Sequence, residues 1–213
     1  SQDAAPEEML ALTFTRKAAR EMSERLSALL TSAEARSVGA ITFHRLCLRI
    51  LRHEGHRIGL PSDFILCSEM DAKAMASDLF KRWGGDKRGL SDFMAQLPAL
   101  KTHLALTLPK TTLSDTHLGV CRKYQDALRD NAMLDMDDLE IETVRLFQKH
   151  PDVGTRFGRR GRWIFVDEYQ DTNANQVSIL KALICGGQGE ICAIGDADQA
   201  IYGFRGSDVR HFH

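Results

Sequence analysis

Asp167 and Glu168 directly follow Trp163-Ile164-Phe165-Val166, a short apolar run of the kind that forms buried strands. A second such run, Ile191-Cys192-Ala193-Ile194, opens onto Gly195-Asp196-Ala197-Asp198-Gln199. In a parallel α/β sheet, ligands collect outside the carboxyl ends of the strands. That layout would place Asp167, Glu168 and Gln199 around one bound molecule. Adjacent acids at a strand tip suit a magnesium–nucleotide, because one carboxylate can hold the metal while its neighbour handles a proton. Taken alone, an Asp-Glu pair after a strand also fits a simple polar turn. The second block, with its own acid, its glutamine and an aromatic–arginine tail, favours the site.

Several elements must position these residues. Met9 to Phe14 reads as a buried strand leading into a helix with Ala18, Met22, Leu26 and Leu30 at spacings of four, an apolar stripe against a sheet. Val38 to Thr42 reads as a second strand, and Phe43 to Leu51 as the helix after it, with Leu46, Cys47, Ile50 and Leu51 inward. Two such strand–helix units imply a parallel sheet with crossover helices. From about His53 the pattern becomes short and helical, punctuated by Gly59, Pro61, Gly84-Gly85, Gly89, Pro98 and Pro109. Ser114 is a candidate N-cap for a helix reaching Asp130, and Asp135 starts another with Asp138 three residues on. Near Pro151 the α/β pattern resumes, with a helix expected around Asn175–Ile184 between the two acid- and amide-bearing strands. Arg156, Arg159, Arg160 and Arg162 read as a solvated basic loop.

The 213 residues carry a formal net charge of −1, so any nucleic-acid site must be a local basic surface rather than a bulk property. Five scattered cysteines, with no Cys-x-x-Cys pair, read as reduced thiols in a cytoplasmic protein; Cys47 and Cys192 behave as small hydrophobes in their elements. No apolar stretch approaches membrane-spanning length. His53 and His56 lack an accompanying acid or cysteine at ligand spacing and read as a surface helix end.

Four blocks, in order, resemble the N-terminal motor region of superfamily 1 DNA helicases of the UvrD/Rep type. Leu12-Thr13-Phe14-Thr15-Arg16-Lys17-Ala18-Ala19 with Glu21-Met22 is similar to motif Ia, and Thr42-Phe43-His44 with Leu46 to motif Ib. Val166-Asp167-Glu168-Tyr169-Gln170-Asp171-Thr172-Asn173 resembles motif II, the Walker B element. Gly195-Asp196-Ala197-Asp198-Gln199-Ala200-Ile201-Tyr202 with Phe204-Arg205-Gly206 resembles motif III, and Leu134 to Leu139 resembles a further family signature. The resemblance implies an incomplete RecA-like P-loop NTPase sheet, of α/β class, with a mainly helical inserted subdomain. The expected divisions are 1–57 and 150–213 for the motor domain and 58–149 for the insertion, which would lean on duplex DNA.

By the same resemblance the cofactors are ATP and Mg2+. Asp167 would bind the magnesium, Glu168 would be the base for the attacking water, and Gln199 would contact the γ-phosphate or that water. Asp171 and Asp196 would orient neighbouring groups. Phe14 would stack on a base, Thr15 would sit near phosphates, and Thr42 and His44 would hold the strand by polar contacts. Tyr202, Phe204 and Arg205 suit a single-stranded DNA groove, since aromatic faces stack on any base. Phe43 fits core packing as well as DNA contact. No Gly-Lys pair occurs, so the family's phosphate loop is absent, as is the second motor domain. The expectation is therefore a piece of a 3′-to-5′ translocating helicase of DNA repair or replication, without ATPase activity of its own. Losing the phosphate-loop strand would expose apolar edges and favour self-association. The rival readings are a non-catalytic single-stranded DNA-binding module and a different P-loop enzyme; the intact Asp167, Glu168 and Gln199 disfavour the first, and the aromatics after Gln199 the second.

Overall fold

The computed structural model describes residues 5–106, 114–185 and 189–196. In chain order β1 (Met9–Thr13), α1 (Arg16–Leu29), α2 (Ser32–Ser37), β2 (Gly39–Thr42) and α3 (Phe43–Glu54) come first. They are followed by β3 (Ile65–Leu66), α4 (Glu69–Arg82), α5 (Lys87–Leu106), α6 (Asp115–Asp130), β4 (Met133–Leu134) and α7 (Met136–Lys149). The last described elements are α8 (Pro151–Arg160), β5 (Trp163–Val166), α9 (Ala174–Cys185) and β6 (Glu190–Ala193). The chain divides into two compact units, one of residues 1–50 with 146–213 and one of residues 51–145. None of the described helices is long and apolar enough to cross a membrane.

The first unit holds a four-stranded, all-parallel sheet in the order β2-β1-β5-β6. Its central strands are apolar because both faces are covered: Leu12, Ile164 and Val166 are essentially without exposure. Helix α3 buries Phe43, Leu46, Cys47 and Ile50, and α9 buries Val177, Ile179, Leu180 and Leu183. Helix α1 differs from the sequence expectation. Its stripe of Ala18, Met22 and Leu26 is only half-buried, because the helix packs on edge strand β2 and on α2 rather than over the sheet centre. At the opposite edge, an apolar cavity of about 300 Å³ is lined by Met9, Trp163, Phe165, Ile191 and Cys192. Cys192 is exposed there, unlike the fully buried Cys47.

Most of the basic run expected as a loop, Arg156 to Arg160, lies in helix α8, whose exposed Arg156 and Arg159 share it with buried Val153, Gly154 and Gly158, while Arg162 follows it. Position 154 faces Ala182 and position 158 faces Leu183, so two glycines four residues apart let α8 and α9 touch backbone to backbone.

The second unit is helical except for the short parallel pair β3–β4. Its core joins Cys67, Phe80, Phe93, Leu100, Val120 and Tyr124, with the Phe80 and Phe93 rings stacked 5.1 Å apart. Pro98, expected to break a helix, lies inside α5. A proline there costs about 3 kcal/mol, which burial of Phe93, Leu97 and Leu100 around it offsets.

At the start of α7, Asp135 and Asp138 cap each other's backbone N–H groups, each at 3.1 Å. Between them reaches the ammonium of Lys101, 1% exposed, which pairs with Asp135 and lies 2.8 Å from Asp138. Tyr124 donates to Asp135 at 2.6 Å and Gln125 to Asp138 at 2.9 Å. Burial alone would lower the Lys101 pKa, but the Asp138 and Asp135 charges reverse this and raise it. Burial pushes Asp138 up, and the Asp135 charge adds to that against the pull of Lys101; Asp135, with burial opposed by the ammonium and its hydrogen bonds, ends below the usual carboxylate range. The thiol of Cys121 beside them is pushed up to about 12, chiefly by burial. Removing one partner of a buried ion pair strands the other charges. Lys101→Met is therefore expected to cost about 3 kcal/mol, the lower end of the usual range because Asp138 can take up a proton instead. Urea unfolding at neutral pH checks this; a loss below about 1 kcal/mol would mean that the network is not closed as described.

Candidate functional site

The parallel register brings four strand ends to one edge of the first unit's sheet. Thr13 pairs with Thr42, Leu12 with Val166, and Val166 with Ala193. At the ends of those pairs, in the order of the strands, lie Thr42 to His44, then Phe14 and Thr15, then Asp167 and Glu168, then Ile194 to Asp196. With strands about 4.8 Å apart, the whole edge from β2 to β6 measures roughly 14 Å.

On the β1 and β2 side, Thr15 caps α1, its hydroxyl accepting from Ala18 N–H at 3.0 Å. Thr42 is buried and its hydroxyl accepts from Arg45 N–H at 3.2 Å, so it caps α3 in the same way. Both helices thus begin at this edge, aiming their positive dipole ends at it. Arg16 and Lys17 are exposed in the first turn of α1, and His44 is half-buried in that of α3. Phe43 is 1% exposed and belongs to the core, which resolves its two readings. Phe14 is half-buried, with its ring edge-to-face on Phe43 at 6.2 Å. Phe43 therefore supports Phe14 from below.

On the β5 side, Asp167 N–H donates to Leu12 O at 3.0 Å, extending the ladder by one residue. One Asp167 oxygen accepts from Glu168 N–H at 3.1 Å. The other makes no hydrogen bond to a described residue, and a half-buried carboxylate with an oxygen to spare fits a hard cation that keeps most of its waters. Among the described residues there is no group of three or more potential metal-ligating side chains. Glu168 leaves the strand with φ 52° and ψ 44°, the left-handed region that costs a non-glycine residue about 1–2 kcal/mol. The conformation is held from both sides: Asp171 N–H donates to Glu168 O at 2.9 Å, and Tyr169 N–H donates to Ile194 O at 2.9 Å. Its effect is to turn an exposed carboxylate outward at the strand tip.

Gln170, to which the sequence alone assigns no role, is buried behind Glu168. Its amide donates to Glu168 Oε2 at 2.6 Å, and its carbonyl accepts from Asp196 N–H at 3.0 Å. The signal available in the sequence was an amide among acids, which can donate to one neighbour and accept from another. Asp171 is buried, and one of its oxygens lacks a partner among the described residues. The turn then enters α9 through a reciprocal cap: Gln176 N–H donates to Asn173 Oδ1 at 3.0 Å and Asn173 N–H to Gln176 Oε1 at 3.2 Å. Asp196 is the last described residue, so Gln199, Tyr202, Phe204 and Arg205 lie outside the described residues.

A parallel sheet with crossover helices, acids at one strand tip and a polar loop at the next is a RecA-like α/β arrangement. The chain belongs to the UvrD/Rep helicase family: the family profile described as "UvrD/REP helicase N-terminal domain" matches residues 1–213. It is 36% identical to the ATP-dependent DNA helicase PcrA of Staphylococcus aureus over 217 aligned positions, covering 99% of this chain and 30% of that protein. The PcrA of Staphylococcus epidermidis is 35% identical with the same coverage. The chain therefore spans 30% of the length of these curated relatives.

Proposed function

We propose that this chain is part of an ATP-dependent DNA helicase that moves 3′ to 5′ along single-stranded DNA and separates duplex ahead of it, in DNA repair or replication. The observation that carries the reading is the shared edge, where the nucleotide-type tips of β5 and β6 continue directly into the Phe14–Thr15 and Thr42–His44 tips of β1 and β2. Magnesium bound with ATP would supply charge neutralisation at the transferring phosphoryl group. Asp167 would hold it. Glu168 would take the proton of the attacking water, within hydrogen-bond reach of it. Gln199 would read the γ-phosphate. Phe14 would stack on a base, Thr15 and His44 would meet the backbone beside the two helix N-termini, and Thr42 would act by fixing one of those termini. Tyr202, Phe204 and Arg205 would extend the grip.

Cycles of closure and opening around the nucleotide would then move the strand stepwise. Residues 58–149 would form the subdomain that leans on duplex DNA, and repair or replication proteins would be further partners in the cytoplasm. The outer edge of β6, unpaired among the described residues, and the apolar cavity beside it support self-association of the isolated chain, which by itself would not turn over ATP. The family membership and the named relatives support this reading over a non-catalytic binding module.

The test is ATP hydrolysis by the whole protein with and without single-stranded DNA. Stimulation of several-fold is expected. Hydrolysis indifferent to DNA would favour a different P-loop enzyme, and none at all would favour the binding module.

A further inference from the structure

We propose that Gln170 is the positioning residue that ties the side chain of Glu168 to the loop after β6, so that the state of that loop sets the state of the base. The proposal rests on the reading of Glu168 as the base for the attacking water. The backbone of this residue is fixed in the left-handed region, but its carboxylate is exposed and would otherwise sample several rotamers. Among the described residues the side chain that holds it is Gln170, donating from Nε2 at 2.6 Å.

Gln170 is 2% exposed, so both ends of its amide must be satisfied within the protein. The second end is satisfied by the backbone N–H of Asp196 at 3.0 Å. Only a group that donates at one atom and accepts at another can bridge a carboxylate and an N–H in this way. Glutamate would keep the acceptor and lose the donor, leucine would lose both, and asparagine would be one methylene too short. The loop approaches so closely that a Cβ at Gly195 would stand 2.1 Å from Gln170 Oε1, so a larger residue there would have to displace the amide. A second strap, Tyr169 N–H to Ile194 O, keeps the two segments in register while the amide transmits displacement to the carboxylate.

The consequence follows from the order of residues. The loop that Gln170 grips continues into Gln199 and then into Tyr202, Phe204 and Arg205. Movement of that stretch on binding a DNA strand would reach Glu168 through a single amide. Gln170 would therefore govern how strongly DNA accelerates hydrolysis, without touching ATP or DNA.

The experiment compares wild type, Gln170→Leu, Gln170→Glu and Glu168→Gln in the whole protein, measuring kcat and KM for ATP at zero and saturating oligo-dT. For Gln170→Leu, kcat with DNA is expected to fall about 10- to 100-fold while KM for ATP stays within about twofold, the split of a group acting only in the chemical step. The ratio of stimulated to unstimulated rate should shrink several-fold, a readout that mere loosening of the fold would not move selectively. Gln170→Glu, nearly the same shape, should behave alike and serves in place of Gln170→Leu if that variant does not fold. Retention of the wild-type stimulation ratio by the folded Gln170 variants, with Glu168→Gln inactive, would overturn the positioning role alone. Full activity of Glu168→Gln would instead overturn the reading of Glu168 on which the proposal rests.

Discussion

Glu168→Gln is expected to lower DNA-stimulated ATP hydrolysis by the whole protein by about 100- to 10,000-fold, the usual contribution of a positioned general base. The substitution keeps the shape of the side chain and a carbonyl able to accept from Gln170 Nε2, so the bridge to Asp196 persists. What it removes is the ability to accept a proton from water. The left-handed backbone at position 168 is held by main-chain bonds, which the change does not touch. Thermal unfolding should therefore move little while phosphate release at saturating oligo-dT collapses. A rate within about threefold of wild type would place the base elsewhere.

Gly158→Ala is expected to unfold the first unit or to cost it more than about 4 kcal/mol, a size reserved for mutations with a definite structural cause. A Cβ at position 158 would lie 1.9 Å from Leu183 O, 2.9 Å from its carbonyl carbon and 3.3 Å from its Cα. These are backbone atoms of α9, so no side-chain rotation relieves the clash, and the two helices must separate. Separation would uncover Val153 on one side and Ile179, Leu180 and Leu183 on the other. Arg159→Ala, at an exposed neighbour on the same helix, should stay within about 0.5 kcal/mol of wild type. Urea unfolding of both variants checks the pair, and a wild-type midpoint for Gly158→Ala would show that α8 and α9 do not meet as described.

Much of the fold could be read from the chain because its parallel strands are short, apolar and followed at once by polar residues or helices. Trp163–Val166 is found where it was expected, Met9–Thr13 and Gly39–Thr42 within a residue, and β6 is displaced by one residue. The adjacency of β5 and β6, on which the grouping of acids depends, was likewise inferred from the polar blocks after each strand. What escaped was everything decided by contact between distant segments. Glycines 154 and 158 resemble helix breakers in isolation, yet here they are what allows α8 to press on α9. Pro98 carries the same local signal and is overridden by buried apolar neighbours. Lys101, which no local pattern singles out, is drawn inward because Asp135 and Asp138 cap α7 and leave a buried negative charge to neutralise. Leu134 to Leu139 pointed to the cap but not to the lysine 34 residues earlier. The role of Gln170 needed the register between β5 and β6, which no local pattern encodes.

One sheet edge serving both nucleotide and strand is tested most directly by amide hydrogen exchange of the whole protein, read segment by segment with a magnesium-bound, non-hydrolysable ATP analogue and with oligo-dT. The nucleotide should slow exchange at 167–171 and 194–196, and the oligonucleotide at 14–17 and 42–45. Protection gathered instead at the amino-terminal strand ends around Met9, Gly39, Trp163 and Glu190, or absent from these four tips, would contradict the account.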